Sequence, residues 1–223
     1  MHFLRVVALI FVAVFLSQCG SPPALHEGKH RGAATMGQMS RAIGLRSEIL
    51  PKGVHARKFI RPMKPRYITV HSTQNYTADA AKHSLALRRG ALRSKRTRTG
   101  NRIGYLIWHF TIDDHQCIQH LPCSEQGEHA DYHGPGNRLS IGIEMCENRG
   151  NNRRETVEHT AMLCAILMKR YNIPVRNVVP HYHWPRRGRQ KNCPHFLLDN
   201  GRPGRKWNGF LQRVRFHRNR IAS

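Results

Sequence analysis

The segment YITVH (67–71) is a run of aromatic and β-branched residues, a composition typical of a β-strand. A helix is predicted soon after it, over AAKHSLALRR (80–89), with Thr77 and Asp79 available to cap its first turn. Strands that alternate with helices predict an α/β domain, a single domain with a central mixed β-sheet flanked by helices. The remaining predicted elements are strands at 106–112, 118–121 and 139–145, an amphipathic helix over 155–171, and the short apolar segment 178–180.

The composition of the chain is strongly basic. The 223 residues include 37 Lys and Arg against 13 Asp and Glu, which gives a formal net charge of +24. Because 39% of the residues are hydrophobic, the chain has enough apolar material for a core, and a wholly disordered protein is excluded. The charge favours anionic partners such as nucleic acid, acidic polysaccharide or an anionic membrane surface, and the charge alone does not choose among them.

The N-terminus has the features of an export signal. Arg5 precedes an apolar run over 6–16 that is too short to span a bilayer and suits a secretory signal peptide, which we place at 1–18. The following Cys19 lies in a context that resembles a bacterial lipobox, so it predicts a lipid anchor. Residues 19–64 are rich in Gly, Pro, Ser and basic residues and are predicted to form a flexible tether, followed by the folded domain over 65–216. The protein is predicted to be exported to the bacterial cell envelope, in the periplasm or as a membrane-anchored lipoprotein. Secretion is the alternative.

Histidine and cysteine cluster in three places along the predicted domain. His71 ends the first strand, two histidines lie in PHYHW (180–184), and Cys193 lies in KNCPH (191–195). Two imidazoles and one thiolate would give Zn²⁺ a tetrahedral site with one open position, as in catalytic zinc proteins. Packed or surface histidines are the alternative, because a chain with 16 histidines contains chance clusters.

The other cysteines leave their pairing open. An exported protein lies where disulfides persist, and four cysteines allow three pairings. Free buried thiols are an equal alternative for Cys146 and Cys164, which fall in apolar runs. The four cysteines are Cys117, Cys123, Cys146 and Cys164.

Six segments together resemble the zinc-dependent N-acetylmuramoyl-L-alanine amidases, the amidase type 2 family that shares its fold with peptidoglycan recognition proteins. They occur in family order and cover roughly 67–200. The resemblance implies a peptidoglycan recognition protein-like fold and a hydrolase that cleaves the amide bond between N-acetylmuramic acid and L-alanine in peptidoglycan catabolism. The segments are YITVHST (67–73), IWHFTIDD (107–114), GEHAD (127–131), GNRLSIGIEMCEN (136–148), VVPHYHW (178–184) and KNCPH (191–195).

The resemblance also implies the metal ligands. The first ligand falls on His71 and the third on Cys193. The loop before Cys193 is several residues longer than is usual in the family, which leaves His181 or His183 as the second ligand, and we prefer His181. The implied cofactor is Zn²⁺, which would polarise the amide carbonyl and activate water.

Four further residues are implied to act on the substrate. Glu144, in the IGIE strand, matches the acidic catalytic residue of the family and would act as general base and acid. Lys191, two residues before Cys193, would stabilise the oxyanion. Trp108 and His129 are implied to line the substrate groove, with plain packing as the alternative.

Other function classes remain as rivals. A non-catalytic peptidoglycan-binding protein of the same fold is the first alternative, and an intact ligand set argues against it. A nucleic-acid-binding protein is disfavoured, because export and the lack of a nucleic-acid-binding motif oppose it. The basic segments 88–102 and 202–220 are instead expected to hold the protein near the anionic envelope surface.

Overall fold

A computed structural model describes residues 32–94 and 102–222, and in this part of the chain six strands form one mixed sheet. Its order is β1-β4-β3-β5-β2-β6. Strands β3 and β4 pair antiparallel and the other neighbours pair parallel, which confirms the predicted mixed sheet. The strands are β1 (Leu45–Ser47), β2 (Tyr67–Ser72), β3 (Phe110–Ile112), β4 (Cys117–Gln119), β5 (Ser140–Met145) and β6 (Val178–Pro180).

Five α-helices accompany this sheet in the described residues. The long helix α4 is buried continuously from Thr160 to Met168, because the sheet and the neighbouring helices cover its sides. It ends at Asn172, whose left-handed backbone (φ 53) precedes Ile173-Pro174. The helices are α1 (Met36–Ala42), α2 (Ala80–Arg88), α3 (Pro135–Leu139), α4 (Arg153–Tyr171) and α5 (Arg205–Arg220). None of the described helices has the length and apolar character needed to cross a membrane.

The flexible tether predicted over 19–64 is wrong for its part from residue 33 onward. These residues belong to the folded unit that begins at Ala33. Thr35 and Gln38 form a capping box at the start of α1, and β1 pairs with β4 at the edge of the sheet. Because Met39, Ile43 and Leu50 are buried in the core, this segment contributes to the domain. The predicted signal peptide 1–18 and Cys19 lie outside the described residues.

The C-terminal boundary also moves. The domain was predicted to end at residue 216, whereas α5 continues to Arg220 and packs Trp207, Phe210 and Val214 into the core. Ala34 forms a bridge with Ile221, so the two ends of the folded unit lie side by side. The domain therefore extends beyond the predicted limits of 65–216 at both ends.

The cysteines of the described residues are buried free thiols, so the alternative of free thiols holds for Cys146 and Cys164. Cys117 and Cys123 are likewise unpaired.

The sheet brings the predicted site residues to one edge. Strands β2 and β5 are parallel neighbours, and His71 lies directly beside Glu144 in their register. Val70 lies beside Pro180 of β6, so the chain leaves β6 into His181 next to His71. The carboxyl ends of adjacent parallel strands meet at one edge, which is where open α/β sheets place their ligand sites.

Candidate metal centre

His71, His181 and Cys193 converge at this edge of the sheet. Their ligand atoms all lie within 4.8 Å of one another, and all three side chains are buried. The Nδ1 atoms of His71 and His181 face each other at 2.9 Å. Cys193 follows a loop and is fixed beside β2, where the Ser72 backbone N–H points at its Sγ at 3.4 Å.

The other nitrogen of each imidazole already has a partner. His181 Nε2 lies 3.2 Å from the Ala130 carbonyl, which only accepts, so Nε2 carries the proton and Nδ1 presents a lone pair. His71 Nε2 lies 3.0 Å from Nδ1 of His129. The two Nδ1 atoms are therefore the donors available to a metal ion.

The electrostatics of the three groups suit a bound cation. Burial lowers the pKa of His71 well below its usual value and that of His181 to about 4, so both imidazoles are neutral, the form that coordinates metals. Burial, reinforced by Glu144, raises the pKa of the Cys193 thiol to about 12. A thiolate at this position needs a cation beside it, and the His181 Nδ1 lone pair points to the same place. The donor set fits a metal ion held by two nitrogens and one sulfur.

Glu144 lies next to this centre, where the sequence predicted it. Its Oε1 is 3.8 Å from His71 Nδ1, and its side chain is 14% exposed. The other oxygen, Oε2, is buried and has no hydrogen-bond partner among the described residues. Burial, together with repulsion from Glu147 and against the attraction of Lys191, raises the pKa of Glu144 to about 8. A carboxyl group with these properties is suited to exchange protons near neutral pH.

Lys191 is exposed at the rim of the centre. Its charge lowers the pKa of His71, of His181 and of Glu144, so its ammonium acts on the site electrostatically. The structure thus brings Lys191 and Glu144 to the same place as the three predicted ligands.

His183 lies away from the convergence point. Its side chain is exposed, and its ring packs edge-on against Trp184 with centroids 4.5 Å apart. Of the two histidines that the sequence left open, the geometry therefore favours His181 as the ligand.

Trp108, which was predicted to line the substrate groove, has the contacts of a packed residue. Trp108 is buried, and its Nε1 donates a hydrogen bond to Thr111 Oγ1 at 2.6 Å. It packs in a core cluster with Leu50 and Leu87, because it lies just before β3 on the side that α2 covers. The alternative of plain packing applies to this residue.

His129, the other residue predicted to line the groove, lies directly behind His71. Only 6% of it is exposed, and its Nδ1 supports Nε2 of His71 from behind. The ring fits against Gly127 and Gly142, where a Cβ would approach it to 2.5 Å and 2.8 Å. His129 therefore holds the ring of His71 in place, and the sequence offers no local signal for this role beyond those two glycines.

A second supporting contact in this region involves His195. Its Nε2 lies 3.3 Å from the fully buried carboxylate of Glu147, and its Nδ1 lies 3.3 Å from Ser72 Oγ. Since the backbone N–H of Ser72 also points at the sulfur of Cys193, His195 is linked to Cys193 through Ser72.

Comparisons with known proteins point to one family. The family model described as N-acetylmuramoyl-L-alanine amidase matches residues 61–196. N-acetylmuramoyl-L-alanine amidase XlyA of Bacillus subtilis (strain 168) is 39% identical over 171 residues, which are 75% of this chain and 50% of the relative. CwlH of the same organism is 40% identical over 156 residues, which are 68% of this chain and 54% of the relative. The chain thus spans about half the length of these relatives.

Solved structures match over nearly their whole length. The catalytic domain of XlyA superimposes with a TM-score of 0.62 at 38% identity, covering 77% of this chain and 99% of that structure. The structure of PlyL gives a TM-score of 0.60 at 30% identity, covering 76% of this chain and 96% of that structure. The part of XlyA that this chain resembles is therefore its catalytic domain.

Proposed function

The chain belongs to the N-acetylmuramoyl-L-alanine amidase family, and on that premise we propose that it hydrolyses the amide bond between N-acetylmuramic acid and the L-alanine of the peptidoglycan stem peptide. Hydrolysis breaks the C–N bond of this amide and forms a C–O bond. It leaves a carboxyl group on the lactyl side and a free amine on L-alanine. The observation that carries the proposal is the convergence of His71, His181 and Cys193 beside Glu144.

The metal is proposed to be Zn²⁺, held by Nδ1 of His71, Nδ1 of His181 and Sγ of Cys193. Two imidazoles and one thiolate are ligands that zinc prefers, and three protein ligands leave a position open for chemistry. When bound, the metal supplies Lewis-acid polarisation of the amide carbonyl and makes water a stronger nucleophile at neutral pH. His129 and the Ala130 carbonyl keep the two rings turned so that both Nδ1 atoms face the metal position.

Glu144 is proposed to carry the proton in both halves of the reaction. Its Oε2 is buried without a partner in the described part of the chain, so it is available to accept a proton from the attacking water. The same carboxyl group then delivers that proton to the leaving nitrogen of L-alanine, which would otherwise depart as an unstable amide anion. A single carboxyl group can serve both steps because it starts and ends the cycle in the same protonation state.

Lys191 is proposed to stabilise the negative charge that develops on the carbonyl oxygen. Its ammonium acts electrostatically on Glu144 and on both histidine ligands, so its field reaches the position of the reaction. A cation that is already in place when charge develops lowers the barrier without needing to reorganise.

We further propose that the protein is exported and held at the cell envelope by a lipid on Cys19. The apolar run 6–16 followed by Cys19 supports this proposal. The variant Cys19→Ser should leave the membrane fraction while its specific activity stays the same. Recovery of wild-type protein entirely in the soluble fraction after export would contradict the anchor.

Basic surfaces are proposed to keep the enzyme near anionic envelope polymers. Helix α5 has no acidic residue and exposes Arg205, Lys206 and Arg215. Because exposed charges are screened by salt, association with purified cell walls should weaken as the salt concentration rises.

Digestion of purified peptidoglycan tests the proposed activity. Zinc-loaded protein should release stem peptides whose L-alanine has a free amino group, and mass analysis identifies them. The glycan strands should stay intact. Binding to peptidoglycan without release of peptides would support the non-catalytic alternative instead.

A further inference from the structure

The loop between the second and third metal ligands folds into a tight basic hairpin, residues 185–190. Arg186 and Arg189 exchange backbone hydrogen bonds of 2.9 Å and 3.1 Å. Between them, Arg187 (φ 51) and Gly188 (φ 75) both adopt left-handed backbone conformations, the pattern of a type I′ turn. This hairpin returns the chain sharply and fixes Arg186 next to the metal centre.

The guanidinium group of Arg186 is held on two sides. Its Nε and Nη2 donate hydrogen bonds to the Ala130 carbonyl at 3.1 Å and 2.6 Å. Its Cζ lies 4.5 Å from the centre of the Tyr132 ring, which is a cation–π contact. The Ala130 carbonyl also accepts from His181 Nε2, so Arg186 and a metal ligand share one acceptor.

The platform under Arg186 is unusually well fixed. Tyr132 has a positive φ of 62°, which is uncommon for a bulky residue. Asn137 Nδ2 donates to the Tyr132 carbonyl at 2.7 Å, and the Asn137 backbone N–H donates to Asp131 at 2.9 Å. Backbone strain that several hydrogen bonds maintain is typical of sites where a group must be positioned before its ligand arrives.

Among the described residues no carboxylate forms an ion pair with Arg186, although its charge lowers the pKa of Glu128. The nearby Glu128 is paired with Arg61 at 3.1 Å. The charge of Arg186 lowers the pKa of both His71 and His181, as expected for a cation beside them. Nη1 of Arg186 takes no part in the bonds to Ala130, so one edge of the guanidinium fork is available. A half-buried guanidinium group that is held by two hydrogen bonds and forms no ion pair within the described residues is arranged to meet an anion.

We propose that Arg186 is a specificity-determining residue that binds a carboxylate of the substrate peptide. The inference rests on the proposed amidase function, which makes a peptide the occupant of this site. A peptide presents carboxylates at its C-terminus and on acidic side chains, and the planar guanidinium matches their geometry. Because Ala130 and Tyr132 already immobilise the side chain, little conformational entropy is lost on binding.

The test compares muramoyl peptides that differ at one carboxylate at a time, present either as the free acid or as the carboxamide. At the carboxylate that binds Arg186, the zinc-loaded wild type should prefer the free acid over the carboxamide by on the order of 10- to 100-fold in kcat/KM, mainly through KM. Arg186→Gln should abolish this preference, because the advantage of the free acid over the carboxamide comes from its attraction to the positive charge of Arg186. Arg186→Lys should retain part of it.

Arg187→Asn is the matched control. It removes one positive charge from the same hairpin, and asparagine tolerates the left-handed backbone that this position requires. The preference for the free acid should persist in this variant.

The outcomes separate the inference from the proposed function. If Arg186→Gln slows both forms of substrate equally, or if the preference survives, Arg186 only clamps the hairpin and the inference is overturned. Equal cleavage of every acid and carboxamide pair by the wild type also overturns it while leaving the amidase activity intact. Failure of the wild type to release any stem peptide overturns the proposed function and this inference together.

Discussion

Glu158 and Glu144 each lie beside a buried histidine, and they differ in how completely their carboxylate oxygens are satisfied. Where α4 meets α5, His217 Nε2 donates to Glu158 at 2.7 Å, and Arg213 donates to both oxygens of the same carboxylate. At the metal centre, Glu144 Oε1 lies 3.8 Å from His71, and Oε2 has no partner within the described residues.

The pKa values of the two carboxyl groups move in opposite directions as a result. Burial opposes ionisation of Glu158, but the hydrogen bonds and charges of His217 and Arg213 outweigh it and lower its pKa to about 2. Burial and Glu147 raise the pKa of Glu144 to about 8. A polar cluster whose groups are all hydrogen-bonded to one another, like that of Glu158, contributes to stability. A cluster that contains a buried carboxylate oxygen without a partner, like that of Glu144, is suited to binding and catalysis.

The largest expected effect follows from removing a ligand. Cys193→Ala should lose the metal and reduce amide cleavage to background, because the two remaining imidazoles hold zinc far more weakly. Metal analysis of the dialysed protein and peptide release measure the two effects. Cys164→Ala is the matched control, since it removes another buried free thiol, from α4. Full metal content and activity in Cys193→Ala would show that the Cys193 thiolate is not a metal ligand.

Removing the proton carrier should have the next largest effect. Glu144→Gln keeps the shape of the side chain but cannot titrate, so turnover should fall by ~10²–10⁴-fold while metal content stays the same. Stability should not decrease, because the carboxyl group has an unsatisfied buried oxygen in the native protein. Steady-state kinetics and urea unfolding provide the two readouts. Near-normal turnover would assign the general base to another group.

A smaller effect is expected from the residue behind the first ligand. His129→Ala removes the partner of His71 Nε2 at 3.0 Å and should weaken metal affinity by about 10- to 100-fold. Competition with a chelator measures this affinity, and excess zinc should restore part of the activity. An unchanged metal affinity would mean that the packing around His71 alone fixes its ring.

Changes to the hydrogen-bonded cluster of Glu158, His217 and Arg213 should affect stability and leave catalysis unchanged. Because its folded pKa is lowered, Glu158 contributes stability above its unfolded pKa of about 4.5, and this contribution is lost as the pH falls toward about 2. Glu158→Gln should therefore lower the free energy of unfolding by about 1–2 kcal/mol at neutral pH and by less near pH 3.

Urea unfolding at both pH values measures this difference. Glu155→Gln is the control, because Glu155 lies on the same helix and pairs with His159 at 3.1 Å but is 50% exposed, so its effect should be smaller. A loss of stability for Glu158→Gln that does not depend on pH would contradict the ionic account.

Much of the fold could be predicted because β2, β5 and α4 have strong local patterns. The β-branched run in β2 and the apolar spacing of α4 specify their elements without tertiary information. The elements α1 and β1 were missed because they are short and lie in a segment rich in glycine and basic residues. Helix α5 was interpreted as a basic run because its charged residues outnumber the apolar ones that face the core.

The site was predicted unevenly for a related reason. The resemblance to the amidase family suggested the three ligands and Glu144, because the matching segments occur in family order along the sequence. The positions of Trp108 and His129 depend on which side of the sheet a neighbouring helix or strand covers, which no local pattern specifies. Their burial becomes evident only in the tertiary structure, once helices and loops pack on the sheet.

The metal content of His181→Ala and His183→Ala tests the central claim most directly, because these histidines are two residues apart and only one converges with His71 and Cys193. Both proteins would be expressed in zinc, dialysed, and analysed for metal per chain alongside peptide release. The account predicts that His183→Ala retains about one zinc ion per chain and its activity, while His181→Ala loses both. Full zinc content and activity in His181→Ala would contradict it.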